Sequence, residues 1–150
     1  MISIRPARAD APDILPLHKA REIYAAALYP AESNHLLDIA DMLRPQMNFF
    51  AAYDGEQVLG CGGFWAHYGF VEIKSMWVEP AARGRKIGRL LLETIEREAQ
   101  GQGFTLARLE TGIHQPEAIT LYRKSGYRDI PPFADYKPDV LSLFMEKALG

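Results

Sequence analysis

The chain has 150 residues, of which 48% are apolar and 24% charged, and its single cysteine is Cys61. This length and composition predict one α/β domain over residues 1–150. The start of the chain has no apolar leader and no apolar run is long enough for a bilayer, so the sequence predicts a cytoplasmic protein without a membrane partner. A net charge of −2 at pH 7 argues against a dedicated nucleic-acid partner, and one cysteine allows neither an intrachain disulfide nor a cysteine metal cluster.

The first half of the chain alternates between strand and helix patterns. A short strand at the start, "ISIRPA", precedes an amphipathic helix over about 11–28, for which Asp10 is the predicted N-cap. A shorter helix is predicted in "HLLDIADML", ending before Pro45. Aromatic and branched residues separated by "DG" and "YG" then predict an antiparallel meander of three strands, at about 48–53, 57–67 and 70–78.

The second half returns to helical periodicity. The pattern predicts a helix from Gly84 to Gln100, a strand in "TLARLET", a helix over 116–125 that stops at Gly126, and final strands in "YRDI" and "DVLSLFMEKAL". The resulting order is β-αα-βββ-α-β-α-ββ. It predicts a mixed central sheet of about seven strands flanked by about four helices.

Two glycines and four cations lie between the third meander strand and the following helix. They form the stretch "RGRKIGR", residues 83–89. The first amides of a helix have no internal partners and the helix dipole adds positive charge there, so this stretch is suited to an anion such as a phosphate. A nucleotide-hydrolysing phosphate loop needs Ser or Thr after the lysine, but Ile87 follows Lys86. By pattern alone, a solvated basic helix start remains an equal alternative.

Two blocks carry a resemblance to a known family. The strand, turn, loop and helix of residues 70–100 and the stretch from Gln115 to Tyr127 resemble the GNAT superfamily of N-acetyltransferases, and the resemblance extends over about residues 1–148. The first block has Lys86 where the family has its middle glycine. The second has Gln115 where the family typically has asparagine.

The resemblance implies acetyl-CoA as co-substrate, with no metal. In the family, the strand before the loop splays from its neighbour and its backbone groups contact the cofactor, while the loop amides hold the pyrophosphate. The position of the family's asparagine, here Gln115, is a further implied contact. The implied cofactor contacts are therefore Met76, Trp77, Val78, Arg83, Gly84, Arg85, Lys86, Ile87, Gly88, Arg89 and Gln115. Lys86 can take the place of the family's glycine only if its backbone avoids a conformation that glycine alone adopts. Its ammonium would then add a phosphate contact.

The transfer of an acetyl group from a thioester to an amine needs a proton acceptor for the amine and a proton donor for the thiolate. The resemblance assigns the donor to Tyr122, which could otherwise be a core aromatic. Glu72 is the predicted base, on a strand face shared with Lys74 and Met76, although Glu72 and Lys74 could simply pair. A water chain is the alternative to Glu72.

The amine acceptor is predicted to be a small molecule or a peptide. The candidate acceptor contacts border the cleft in the family's fold: Tyr29, Glu32, His35, His67 and Tyr136. Polyamine, aminoglycoside, amino acid, protein N-terminus and lysine side chain remain open, as do other acyl-CoA donors. Exposed strand edges permit a homodimer. The alternative function is a weakly active or inactive acyl-CoA-binding sensor or scaffold of the same fold.

Overall fold

A computed structural model describes all residues from Met1 to Gly150. Its seven strands form one sheet in the order β1-β2-β3-β4-β5-β7-β6. The strands are β1 (Ile2–Pro6), β2 (Met47–Asp54), β3 (Gln57–Ala66), β4 (Val71–Val78), β5 (Leu106–Gly112), β6 (Arg128–Ile130) and β7 (Ser142–Ala148). All neighbours are antiparallel except β4 and β5, which run parallel. The predicted mixed α/β sheet and its element order are confirmed.

Four α-helices flank the sheet: α1 (Leu15–Leu28), α2 (Ile39–Met42), α3 (Ile87–Gly101) and α4 (Pro116–Lys124). The first two are several residues shorter than predicted, and α3 begins at Ile87 rather than at Gly84. Asp10 does not cap α1, because its carboxylate pairs with Arg8 at 2.9 Å and the helix begins only after Ile14. The second helix keeps one turn, which begins where Asp38 accepts a hydrogen bond from the amide of Asp41.

Each face of the sheet has its own apolar core. On one face a cluster of 18 buried residues joins β2 to β5 with the apolar stripe of α3, which includes Leu91 and Ile95. On the other face α1 packs through Ile14 and Leu17 on a smaller cluster that includes Trp77 of β4. The sheet is therefore covered on both sides along β2 to β4. None of the helices combines the length and the apolar character needed to span a bilayer.

Candidate active site

The cleft of the molecule lies where β4 and β5 separate. The two strands pair only through Val71 with Ala107 and Glu72 with Arg108, although β4 continues to Val78 and β5 to Gly112. Past these pairs a cleft of about 630 Å³ opens between them. Its wall includes parts of α1, the segment after it, β4, the start of α3, β5 and α4. The splayed strand that the family resemblance implied is therefore present.

A β-bulge re-aims β4 at the edge of this cleft. Two residues lie between Lys74 and Trp77, but only one lies between their β3 partners Gly63 and Cys61. The extra residue is accommodated at Ser75, whose φ is +63°. Because a bulge reverses the alternation of side chains, Met76 packs on the same core as Ile73. The prediction that Met76 shares a face with Glu72 is wrong for this reason.

The loop before α3 presents a row of free amides. The first helical hydrogen bond of this segment runs from the Leu90 amide to the Lys86 carbonyl, and the amides of residues 84–89 have no acceptor in the protein. The backbone turns through left-handed conformations at Gly84 (φ +87°) and Lys86 (φ +63°). The left-handed helical region is uncommon for a lysine but sterically allowed. Lys86 therefore avoids a conformation that only glycine can adopt, as its predicted role requires.

Most of the predicted cofactor contacts line the cleft: Met76, Trp77, Val78, Arg83, Gly84, Lys86, Ile87, Gly88, Arg89 and Gln115. Arg83 lies against the end of β4, with its Nε donating to the Val78 carbonyl at 3.4 Å. Arg85 is the exception. Its guanidinium turns away from the cleft and pairs with Asp54 at 2.9 Å, so the predicted cofactor contact of Arg85 rests on its backbone amide alone.

Tyr122 of α4 lies in the cleft wall and is 6% exposed. Its ring packs edge-to-face on Tyr127, with the ring centroids 5.8 Å apart. Its hydroxyl makes no hydrogen bond within the protein. Burial raises the pKa of Tyr122 above that of a free phenol, and the nearby negative charge of Glu110 adds to the effect. The hydroxyl is thus protonated at neutral pH and free to donate a proton into the cleft.

Glu110 of β5 is the carboxylate on the open side of the splayed strands. It lines the cleft, and its Oε2 accepts a 2.7 Å hydrogen bond from the hydroxyl of Ser142. Burial is the largest influence and raises the pKa of Glu110, while the Ser142 hydrogen bond acts in the opposite direction. Sequence reasoning missed this residue. The available signal was a carboxylate among the apolar residues of "TLARLET", a stretch already predicted to be a strand.

Glu72 is enclosed by partners and lies outside the cleft wall. Its side chain accepts hydrogen bonds from Tyr136 (2.6 Å) and contacts His67 Nε2 (2.9 Å), and Lys74 Nζ lies 3.5 Å from Oε2. The whole residue is only 5% exposed. The alternative that Glu72 and Lys74 simply pair therefore has structural support. The base role of Glu72 stays a prediction, and both of its carboxylate oxygens already have partners in the protein.

The predicted acceptor contacts divide into two groups. Tyr29 and His35 line the cleft. Glu32 is exposed on a 3₁₀ turn away from the cleft wall, and His67 and Tyr136 are held behind the wall by their bonds to Glu72. These three residues do not line the cleft, His67 and Tyr136 because they bond Glu72, and Glu32 because it points to solvent, so their acceptor contacts stay predictions.

A second polar cluster closes the end of β5. The side-chain oxygen of Gln115 accepts from the Tyr29 hydroxyl (3.2 Å) and from the Gly112 amide (3.3 Å). The same hydroxyl accepts from the His114 amide at 3.0 Å. A Cβ on Gly112 would lie 1.9 Å from that hydroxyl, so only glycine fits there. The glutamine at the family's asparagine position therefore fixes the strand end against α1.

Comparison with known proteins identifies the family. Residues 15–127 match the acetyltransferase (GNAT) family. The chain is 50% identical over 128 residues to a protein named IAA acetyltransferase from Azospirillum brasilense, with 84% of each chain covered. The protein therefore belongs to the GNAT family of acetyltransferases, and it is an enzyme of the acyl-CoA N-acyltransferase class.

Solved structures agree with this assignment. A candidate acyl-CoA N-acyltransferase from Klebsiella pneumoniae superimposes with a TM-score of 0.85 at 32% identity, covering 100% of this chain and 99% of that one. The PaiA N-acetyltransferase of Thermoplasma acidophilum, solved in complex with coenzyme A, has the same fold, with a TM-score of 0.76 at 18% identity and 99% of each chain covered.

Proposed function

We propose that this acetyltransferase takes its acyl group from acetyl-CoA and transfers it to a primary amine by direct attack in a ternary complex. The observation that carries the proposal is the cleft between β4 and β5. Its wall includes the free amides before α3 as well as a half-buried carboxylate, Glu110, and a buried phenol, Tyr122. One cleft therefore offers both an anion site and an acid–base pair.

The anion site fits the pyrophosphate of acetyl-CoA. The amides of residues 84–89 have no partners of their own, and the N-terminus of α3 adds the positive end of its dipole. Arg83, Lys86 and Arg89 supply cations around the same wall. Met76 and Val78 line the cleft on the β4 side that lacks a strand partner, so their backbone groups are available to the pantetheine amides. Acetyl-CoA, when bound, supplies the thioester that donates the acyl group.

Glu110 is the proposed proton acceptor, in place of Glu72. An alkylammonium at neutral pH must lose a proton before it can attack, and a base is most effective when its pKa lies near the working pH. Burial moves the pKa of Glu110 in that direction. Its bond to Ser142 occupies one carboxylate oxygen and leaves the other, Oε1, without a protein partner.

Tyr122 is the proposed proton donor to the departing thiolate. Its raised pKa keeps the phenol protonated, and its hydroxyl has no competing partner. Cys61 does not suit an alternative route through an acyl-cysteine. Burial raises the pKa of this thiol to about 12, and its Sγ lies 3.5 Å from the Ser75 carbonyl oxygen, outside the cleft wall. Since only a thiolate is a good nucleophile, direct transfer is the simpler path.

A thiol-release assay with acetyl-CoA and a panel of primary amines tests the proposal. The panel should contain amino acids, diamines, an aminoglycoside and a lysine peptide, and also IAA, the compound in the name of the Azospirillum relative. We expect thiol release that depends on an acceptor, with the acetylated amine detected by mass spectrometry in equal amount. Tight coenzyme A binding without acceptor-dependent release would instead support the sensor or scaffold reading.

A further inference from the structure

Arg21 is a buried cation without a partner. It lies on α1, is 5% exposed and forms part of the cleft wall. Its Nε and Nη1 are fully buried and make no hydrogen bond, and no carboxylate forms an ion pair with the guanidinium. Burying an unpaired charge is strongly unfavourable, so such groups in proteins are usually paired or bind a ligand.

Arg21 differs from the other cations of the cleft wall because it is both buried and unpaired, whereas Lys86 and Lys124 are exposed to solvent. Lys74 bonds the His35 carbonyl and the Tyr136 hydroxyl at 3.0 Å each. Arg89 pairs with Glu93 at 2.9 Å. The nearest acid along α1, Glu22, is exposed and makes no bond to Arg21. The missing partner of Arg21 is therefore an anion that the protein does not itself supply.

A second unpaired donor lies in the same part of the wall. The indole Nε1 of Trp77 is buried without a hydrogen bond, and Trp77 also lines the cleft. The Trp77 ring packs edge-on against Tyr24, with centroids 5.6 Å apart. Tyr24 follows Arg21 by three residues and so lies on the same face of α1. Arg21 therefore lies on the face of α1 that packs toward Trp77 of β4, and both residues line the cleft.

We propose that Arg21 and Trp77 Nε1 bind an oxyanion carried by the acceptor, a carboxylate or a phosphonate. This inference rests on the proposed function and narrows its substrate class. The acceptor is then a small amino acid or aminoalkyl acid, with its anionic group at Arg21 and its amine near Glu110. A guanidinium presents its donors in a planar fork that matches such a group.

The phosphates of acetyl-CoA are the other source of an oxyanion in the same cleft. The free amides of residues 84–89 and the cations beside them already form a phosphate site, which borders Trp77 where the Arg83 guanidinium lies 5.3 Å from the centre of its ring. Arg21 lies on α1, which is not part of that loop. The acceptor is therefore the favoured source, and a measurement of coenzyme A affinity separates the two.

Matched acceptors provide the first test. Phenylalanine and phenethylamine differ only in a carboxylate, and aminoethylphosphonate and ethylamine only in a phosphonate. We expect the wild type to prefer at least one acid over its neutral partner about 10–100-fold in kcat/KM, and Arg21→Met to remove the preference, mainly through KM. Lys19 is an exposed cation on the same helix, and Lys19→Met should keep the preference for the acid. Coenzyme A should bind all three proteins equally.

The unliganded protein provides the second test, which needs no turnover. Arg21→Met should raise the thermal midpoint by roughly 3 °C or more, because it removes an unpaired buried charge. In a Trp65→Phe background, the fluorescence of Trp77 in the coenzyme A-loaded protein should respond saturably to methylphosphonate or acetate, and not after Arg21→Met.

The outcomes separate this inference from the proposed function. One such outcome is thiol release with neutral amines while the ratio of kcat/KM for each acid to that for its neutral partner is the same in wild type and Arg21→Met. That result would overturn the inference and leave the function standing. A weaker affinity of Arg21→Met for coenzyme A would overturn it in favour of a cofactor contact. Saturable anion binding without thiol release from any amine would overturn the function alone. A fluorescence signal that does not saturate, or a lower midpoint, would overturn the inference.

Discussion

Glu72 faces Arg108 in the last pair that joins β4 to β5, and the two strands separate immediately beyond it. Glu72 thus lies at the closed end of the splay, among Tyr136, His67 and Lys74. Glu110 is two residues further along β5, on the open side, where it lines the cleft. The position of the last pair explains why two carboxylates on neighbouring strands have such different surroundings.

Removing the hydroxyl of Tyr122 should slow the transfer. Tyr122→Phe keeps the edge-to-face contact with Tyr127 and deletes the proposed acid, so kcat should fall about 10²–10⁴-fold while the thermal midpoint and the affinity for coenzyme A stay within error. Tyr127→Phe is the matched control, because the Tyr127 hydroxyl donates to Glu96 at 2.8 Å, outside the cleft. A kcat that Tyr122→Phe leaves unchanged would remove the assignment.

The half-buried carboxyl of Glu110 should make stability depend on pH. Its pKa is raised in the folded state, so between the unfolded and folded pKa values the folded protein binds more protons than the unfolded chain. The contribution of Glu110 to stability is therefore fully present below the unfolded pKa and is lost as pH rises through the folded one. Glu110→Gln should abolish this decline and raise the thermal midpoint at pH 7. Equal midpoints from pH 4 to pH 8 in both proteins would contradict the expectation.

The left-handed backbone of Lys86 predicts different free energies of unfolding for two substitutions. Lys86→Gly should be more stable than Lys86→Ala by about 1 kcal/mol, since the left-handed conformation costs an L-residue ~1–2 kcal/mol and the greater unfolded entropy of glycine offsets part of that gain. Urea unfolding measures the difference. An alanine variant as stable as the glycine one would show that the loop relaxes.

The ammonium of Lys86 should also affect cofactor binding. Both substitutions remove it, so both should weaken coenzyme A affinity by about 2–5-fold at low salt, with the loss fading as salt rises. Isothermal titration at two ionic strengths measures this. If affinity and salt dependence both stay at the wild-type values, Lys86 makes no phosphate contact.

The close contact between Gly112 and Tyr29 predicts a local failure. A methyl group on Gly112 would overlap the Tyr29 hydroxyl and displace it from Gln115, so Gly112→Ala should cost about 1–3 kcal/mol of stability and lower kcat/KM. Gly101→Ala is a control for the loss of a glycine away from the cleft, where the added Cβ meets nothing within 4 Å and the backbone is not left-handed. A Gly112→Ala protein with wild-type activity would contradict the predicted overlap.

Periodicity and turn residues were sufficient for the fold, because apolar stripes and "DG" turns are local signals. The helix stripe around Leu91 and Ile95 and the strand order of the meander could be predicted in this way. The helix after α1 was predicted, but its reduction to Ile39–Met42 could not be, because its apolar residues also suit a segment that simply packs against α1 and β2. The start of α1 was misplaced because Arg8 takes Asp10 as its own partner.

The site was less predictable, because it depends on where strands stop pairing. The bulge at Ser75 cannot be seen in an alternating sequence, and it moved Met76 to the other face. Glu72 was chosen from its position on β4, but hydrogen bonds from residues distant in sequence enclose it. Arg21 looked like one cation on an amphipathic helix, and only its burial without a partner makes it unusual.

The dependence of kcat on pH in wild type, Glu110→Gln and Glu72→Gln, each saturated with acetyl-CoA and an active amine, tests the central claim most directly. We predict an acidic limb in the wild type that Glu110→Gln abolishes, with a fall in kcat of about 10²–10⁴-fold, and that Glu72→Gln retains. A limb that persists in Glu110→Gln and disappears in Glu72→Gln would contradict the account and return the base to Glu72.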